Sequence, residues 1–171
     1  MDKHFYVDGA CSTNGSWKGG YGVVQLEPDD NNSKYKLMYK HAEYCNNTTN
    51  NREELKAMIH VLEMAASDPE NTYIIASDSA YVVNMCNDWI WKWQRNGWCN
   101  SKKVQVENLD LVQTLYNYLT KIFEKCQIVK VKGHNDNLGN ELADALAAQN
   151  QVKFDNLSLF YKIDTISAAA K

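Results

Sequence analysis

The sequence predicts an α/β protein on a mixed five-stranded sheet, an antiparallel β-meander followed by parallel strands. Three observations carry this. Three runs rich in β-branched and aromatic residues come first, divided by Gly-rich and polar turns. Amphipathic helical patterns then alternate with two short apolar strands, and crossovers through helices return a chain in the same direction. The length, 171 residues, suits one domain that buries enough surface to fold without cross-links.

The elements follow in order. His4-Phe5-Tyr6-Val7-Asp8 reads as the first strand. A Gly-rich turn from Gly9 to Gly20 leads to a second strand, Tyr21 to Glu27, and the polar turn Asp29 to Ser33 leads to a third, Tyr35 to Tyr44. A helix follows from about Asn51 to Ser67, with Leu55, Met58, Ile59, Leu62, Ala65 and Ala66 on one face and Pro69 beyond its end. Tyr73 to Ser77 is a short apolar strand, and Ala80 to about Gln94 is helical. After a Gly- and Lys-containing loop, Asn96 to Val106, come a helix over Leu109–Glu124, a strand over Gln127–Lys132 and an Ala-rich helix over Leu138–Asn150. The domain is therefore expected to span 1–150, with 151–171 a C-terminal tail. Two readings stand for that tail: Phe160 and Tyr161 dock on the body, or it frays.

Composition excludes several classes. With 44% hydrophobic and 23% charged residues the chain is not disordered. No apolar run approaches the ~20 residues of a membrane-spanning helix, and the apolar run after Met1 is too short for a signal peptide. A cytoplasmic protein is expected. The 5 cysteines are odd in number and form no C-x-x-C pair, so reduced thiols fit better than a disulfide framework or zinc ribbon. The net charge of −3 argues against coating nucleic acid by bulk charge, but leaves room for a local basic patch between Lys92 and Lys103.

The carboxylates are the chemical signal. Asp8 and Asp78 each end an apolar strand. Were those strands parallel neighbours, both groups would meet at the carboxyl ends, where open α/β sheets place their sites. Asp is also a common turn and N-cap residue after a strand. With Asn50 as N-cap, Glu53 completes a capping box and points away from the apolar stripe, while Glu54 lies about 90° from the stripe's centre and can reach a cleft. With Asn51 as N-cap, Glu54 takes the capping role instead. Asp144 shares a face with Asn140, Ala147 and Ala148, which fits either a site residue or a solvent-facing Asp. His134 follows Gly133 in a loop beyond a strand end. Carboxylates without a matching His or Cys cluster favour hard cations, Mg²⁺ or Mn²⁺. Four of them in one cleft call for such ions, and two ions would form the clamp that drives phosphodiester hydrolysis.

Five segments, in order and nearly spanning the chain to Asn150, carry a resemblance to type 1 ribonuclease H: YVDGACSTN with GGYG, TNNREEL, ASDSAYV, WIWKWQRNGW with SKK and VENLDL, and VKGHNDNLGNELADALA. The resemblance implies the ribonuclease H-like fold, with helices on both faces of the sheet. It also implies hydrolysis of the RNA strand of RNA·DNA hybrids at two Mg²⁺, with Mn²⁺ a substitute, leaving 5′-phosphate and 3′-hydroxyl ends. The family's metal-holding carboxylates match Asp8, Glu54, Asp78 and Asp144, and its catalytic histidine matches His134. Asn14, Asn50 and Asn51 match minor-groove residues, Thr49 and Asn108 a pocket for a DNA phosphate, and Trp89 the aromatic lining the DNA path. Lys92, Arg95, Lys102 and Lys103, interleaved with tryptophans, resemble the family's basic protrusion; a solvated charged loop is the plainer reading. The turn after Asn14 reads GSWKGG, longer than usual, and Ala80 stands where the family has a glutamine. With the first strand so near Met1, no preceding hybrid-binding module is expected, and a monomer is the expected state. The alternatives are a related nuclease, or a hybrid-binding module on the same fold. A module that has lost catalysis would show a missing carboxylate, and none is missing.

Overall fold

The computed structural model describes residues 1–12, 18–29, 34–133 and 137–165. Three long strands open the chain: β1 (Asp2–Cys11), β2 (Gly19–Asp29) and β3 (Lys34–Cys45). Helix α1 (Asn50–Ala66) leads to β4 (Thr72–Ser77). A continuous helical segment then runs as α2 (Ala80–Asn84), a π-helical turn at Met85–Trp89 and α3 (Ile90–Arg95). Helix α4 (Leu109–Ile122), β5 (Cys126–Lys130), α5 (Leu138–Ala147), α6 (Gln151–Phe160) and the two-residue β6 (Asp164–Thr165) complete it.

The sheet order is β5-β4-β1-β2-β3-β6. β1, β2 and β3 form the antiparallel meander, and β4 and β5 add in parallel on the far side of β1. The expected five strands are all present. β6 adds a short parallel edge against Lys36 and Leu37 of β3. Because side chains alternate along a strand, the sheet feeds two cores, one on each face. Phe5, Val7, Val23 and Ile75 pack with α1 and α4 on one face, where Leu55, Met58, Leu62 and Leu115 are fully buried. Val24, Leu26 and Leu37 pack with Leu142 and Leu146 of α5 on the other.

Four boundaries differ from the sequence reading in ways that bear on the site. β1 does not end at Asp8. Its parallel pairing with β4 stops at Val7–Ser77, but the antiparallel ladder with β2 carries it on to Cys11. α1 is capped by Thr49, whose side chain accepts from the Arg52 N–H, rather than by Asn50 or Asn51. The Ala-rich helix stops at Ala147, because Gln149 adopts a left-handed conformation (φ 56°) that turns the chain. The tail forms α6, which docks through Phe154 (5% exposed), while Phe160 is 79% exposed.

Candidate active site

Asp8, Glu54 and Asp78 offer one oxygen each within 4.8 Å of one another. Asp8 (4% exposed) lies on β1 just past the last pair with β4, and Asp78 follows β4 directly, so the parallel pairing delivers both carboxylates to one edge. Asp78 is spared the capping work that its position after a strand suggested. Ser79 caps α2 by accepting from Val82 N–H, and the Ser77 hydroxyl accepts from Ser79 N–H.

Glu54 (6% exposed) reaches the same edge from the first turns of α1. The approach is possible because β1 carries Gly9 there. A Cβ on Gly9 would stand 2.4 Å from the Glu54 backbone nitrogen, so any side chain would drive the helix away from the strand. The Gly9 N–H also donates to the Glu54 carboxylate. Asp144 comes from α5 on the opposite face of the sheet and shares a hydrogen bond with Asp8. It is also held by Lys153 of α6, whose ammonium donates to Oδ2 at 2.7 Å.

The electrostatics are those of crowded anions. Burial, then the charges of Glu54 and Asp78, push the Asp8 carboxyl well above the usual range. Burial also raises Glu54, against hydrogen bonds from Asp8 and the Gly9 N–H and with further repulsion from Asp78 and Asp144. Among the described residues, Glu54 Oε2 is buried without a hydrogen-bond partner. The cluster therefore presents carboxylate oxygens, one of them without a hydrogen-bond partner, and no nitrogen or sulfur, a set that fits a hard divalent cation.

Glu53 differs from expectation. It is 1% exposed rather than solvent-facing. Gly9 and Gly19 let β1 and β2 close over it, and its Oε2 takes a hydrogen bond from Thr48 Oγ1 (2.6 Å) and an ion pair from Lys56 (2.6 Å). It stands outside the carboxylate cluster, as read from the sequence, but through burial rather than capping.

The other expected contacts fall around this edge. Thr49, Asn50 and Asn51 stand at the N-terminus of α1, with Asn50 and Asn51 exposed. Asn108, in a left-handed conformation at the start of α4, is joined to Thr49 through Arg52. The Arg52 backbone bonds Thr49 Oγ1, and its guanidinium reaches Asn108 Oδ1 (3.4 Å) and grips Asp110 (2.7 Å). Arg52 carried no signal by spacing alone, since its partners lie across a helix pair. Trp89 is half-buried at the end of the π-helical turn, edge-on to Tyr81. Lys92 and Arg95 are exposed on α3, and Lys102 and Lys103 on the loop after it. Trp91 and Trp98 are packed against the core and both stand edge-on to Tyr116, which fixes the protrusion to α4. His134 and Asn14 lie outside the described residues, although Gly133, which precedes His134, comes close enough to Asp78 that a Cβ would sit 3.1 Å from Oδ2. Beside the cluster, a groove of about 510 Å³ is lined by Ala10, Cys11, Lys18, Tyr44 and Ala147.

A model of the ribonuclease H family matches residues 1–152. A ribonuclease H of Caldanaerobacter subterraneus subsp. tengcongensis is 42% identical over 152 residues, which cover 86% of this chain and 89% of that protein. One from Jannaschia sp. is 39% identical over 149 residues, 87% of this chain and 90% of that one. Among solved structures, the PFV RNase H domain superposes with a TM-score of 0.73 at 25% identity, over 88% of this chain and 94% of that domain. A foamy viral protease-reverse transcriptase in complex with an RNA/DNA hybrid superposes at 0.74 and 23% identity, over 86% of this chain and 20% of that one, and shares the fold.

Proposed function

The chain belongs to the ribonuclease H family and is an endoribonuclease of it, and on that premise we propose that it cuts the RNA strand of RNA·DNA hybrids by metal-dependent hydrolysis. One observation carries the reading: buried Asp8 and Glu54 converge with Asp78 within 4.8 Å, an arrangement that costs free energy through repulsion unless cations enter. Asp8, Glu54, Asp78 and Asp144 would hold two Mg²⁺, with Mn²⁺ a substitute. Bound there, the ions supply an activated water and stabilise the departing 3′-oxygen.

The chain's own residues do the rest. Asp8 and Glu54, both buried, are fixed by β1 and α1 where the ions would be held. His134 is assigned to move a proton during turnover or product release. Asn14, Asn50 and Asn51 read the minor groove, where 2′-hydroxyls line one strand only of an A-like hybrid. Thr49 and Asn108 take a phosphate of the DNA strand, with Arg52 holding them in register. Trp89 lines the DNA path, and Lys92, Arg95, Lys102 and Lys103 contact phosphates. Residues 1–150 form the catalytic unit and 151–171 an appended segment. The protein is read as a monomer, and as cytoplasmic, a compartment whose reducing conditions its five free cysteines fit.

The chemistry is tested through the product ends. Attack by water on phosphorus, with the 3′-oxygen leaving, gives RNA fragments with 5′-phosphates and 3′-hydroxyls. Products made with Mg²⁺ should be extended by a polymerase and accepted by a 5′-phosphate-dependent ligase. Cyclic 2′,3′-phosphate ends would mean that the 2′-hydroxyl attacks instead, and would refute the mechanism.

A further inference from the structure

Lys153 lies one residue beyond the family match, which ends at 152, yet it reaches Asp144, which hydrogen-bonds Asp8 at the margin of the carboxylate cluster. The chain arranges this through the reversal between α5 and α6. Ala148 N–H closes the last turn on Asp144 O (2.9 Å), Gln149 takes the left-handed conformation, and Asn150 N–H returns to Ala145 O (2.8 Å). Asn150 then caps α6 by accepting from the Lys153 N–H at 3.0 Å. Phe154, the next residue, is 5% exposed in the core under Lys40, whose ammonium lies 5.0 Å from the ring centroid. The backbone of Lys153 is thus fixed on both sides. Its ammonium lies 2.7 Å from Asp144 Oδ2, in an ion pair whose two side chains are 33% and 38% exposed.

We propose that Lys153 is a built-in counter-ion of the metal centre: it holds an oxygen of Asp144 in the metal-free protein and must yield that oxygen when a divalent ion takes the carboxylate. The inference rests on the metal-centre reading above. An ammonium and a divalent cation that seek one carboxylate repel each other, so the lysine weakens cation binding on the Asp144 side of the cluster while offsetting the anionic crowding before metal arrives. The segment appended to the catalytic unit thereby sets how much divalent cation the enzyme needs.

Mn²⁺ titration without substrate, followed by calorimetry and by electron paramagnetic resonance, tests this in the full chain. Lys153→Met keeps the apolar stem and removes the charge. It should tighten the weaker Mn²⁺ step by about three- to tenfold, since the pair is partly open to water, and lower the melting temperature of the metal-free protein. Lys153→Arg should restore wild-type behaviour. A Mn²⁺ isotherm that is unchanged or weaker in Lys153→Met overturns the inference while leaving the metal centre intact. No Mn²⁺ binding by the wild type would refute the metal centre itself, and the inference with it.

Discussion

Glu53 and Glu54 are neighbours in the chain with opposite surroundings. Glu53 has a cation and a hydroxyl on its carboxylate, from Lys56 and Thr48. Glu54 faces Asp8 and Asp78 instead; each glutamate keeps one buried oxygen without a hydrogen-bond partner among the described residues, so it is the surrounding charge that differs. Glu54→Gln should therefore abolish hybrid cleavage and leave the fold stable. Glu53→Gln should keep the chemistry and lower stability by about 1–3 kcal/mol, because it weakens a buried charge-assisted hydrogen bond. Denaturant unfolding and cleavage rates on both variants check this, and equal loss of turnover in the two would contradict it. Asp8 gives a pH signature. Its folded pKa is raised, as is that of Glu54, so the folded chain binds more protons than the unfolded one. Stability of the metal-free protein then falls as pH rises above the ordinary carboxylate range of about 4. Asp8→Asn should raise its melting temperature at pH 7 and change it little at pH 4, measured with chelator present; equal shifts at both would count against crowded anions as the cause. At this scale Asp8 and Asp78 were legible, because each follows an apolar run, although β1 continues past Asp8 to Cys11. The burial of Glu53 was not, because it depends on Gly9 and Gly19, which are distant in sequence and close in space.

Among the elements, the helical segment from Ala80 to Arg95 was legible as one helix, but its π-helical turn at Met85–Trp89 has no sequence signal. The extra residue in that turn changes the helical register; Trp89 at its end packs against Tyr81, and Trp91 and Trp98 beyond it pack against Tyr116, while the lysines stay exposed. The basic stretch is therefore a protrusion whose aromatic residues anchor it and whose charges face solvent. Replacing Lys92, Arg95, Lys102 and Lys103 together by Ala should raise KM for hybrid with kcat nearly unchanged. The log–log salt dependence of binding should flatten by up to about one unit for each phosphate that is no longer neutralised. Lys92 is paired with Asp88 at 3.1 Å, so its share is the smallest. An unchanged KM and salt slope would reduce the stretch to a solvated loop. α6 illustrates the opposite limit of legibility. Its place is decided by one buried ring, Phe154, and by the Gln149–Asn150 turn, and neither stands out in a C-terminal sequence where other apolar residues, Leu159 and Phe160 among them, stay exposed.

For the molecule as a whole, the meander and the parallel half were both readable from the alternation of elements, and with them the meeting of Asp8 and Asp78 at one edge. The residues that complete the site come from α1 and α5, on opposite faces of the sheet. Their convergence follows from the topology rather than from any local pattern. An acidic chain of net charge −3 that cuts a polyanion needs cations at the point of contact. Divalent ions at the carboxylates and basic side chains on the protrusion would supply them. The most direct measurement compares wild type with Asp78→Asn on end-labelled RNA·DNA hybrid, duplex DNA and duplex RNA, each with Mg²⁺ and with chelator. A metal-dependent hybrid nuclease should cleave the RNA strand of the hybrid alone, only as the wild type and only with Mg²⁺. Turnover that survives in chelator or in Asp78→Asn would contradict it.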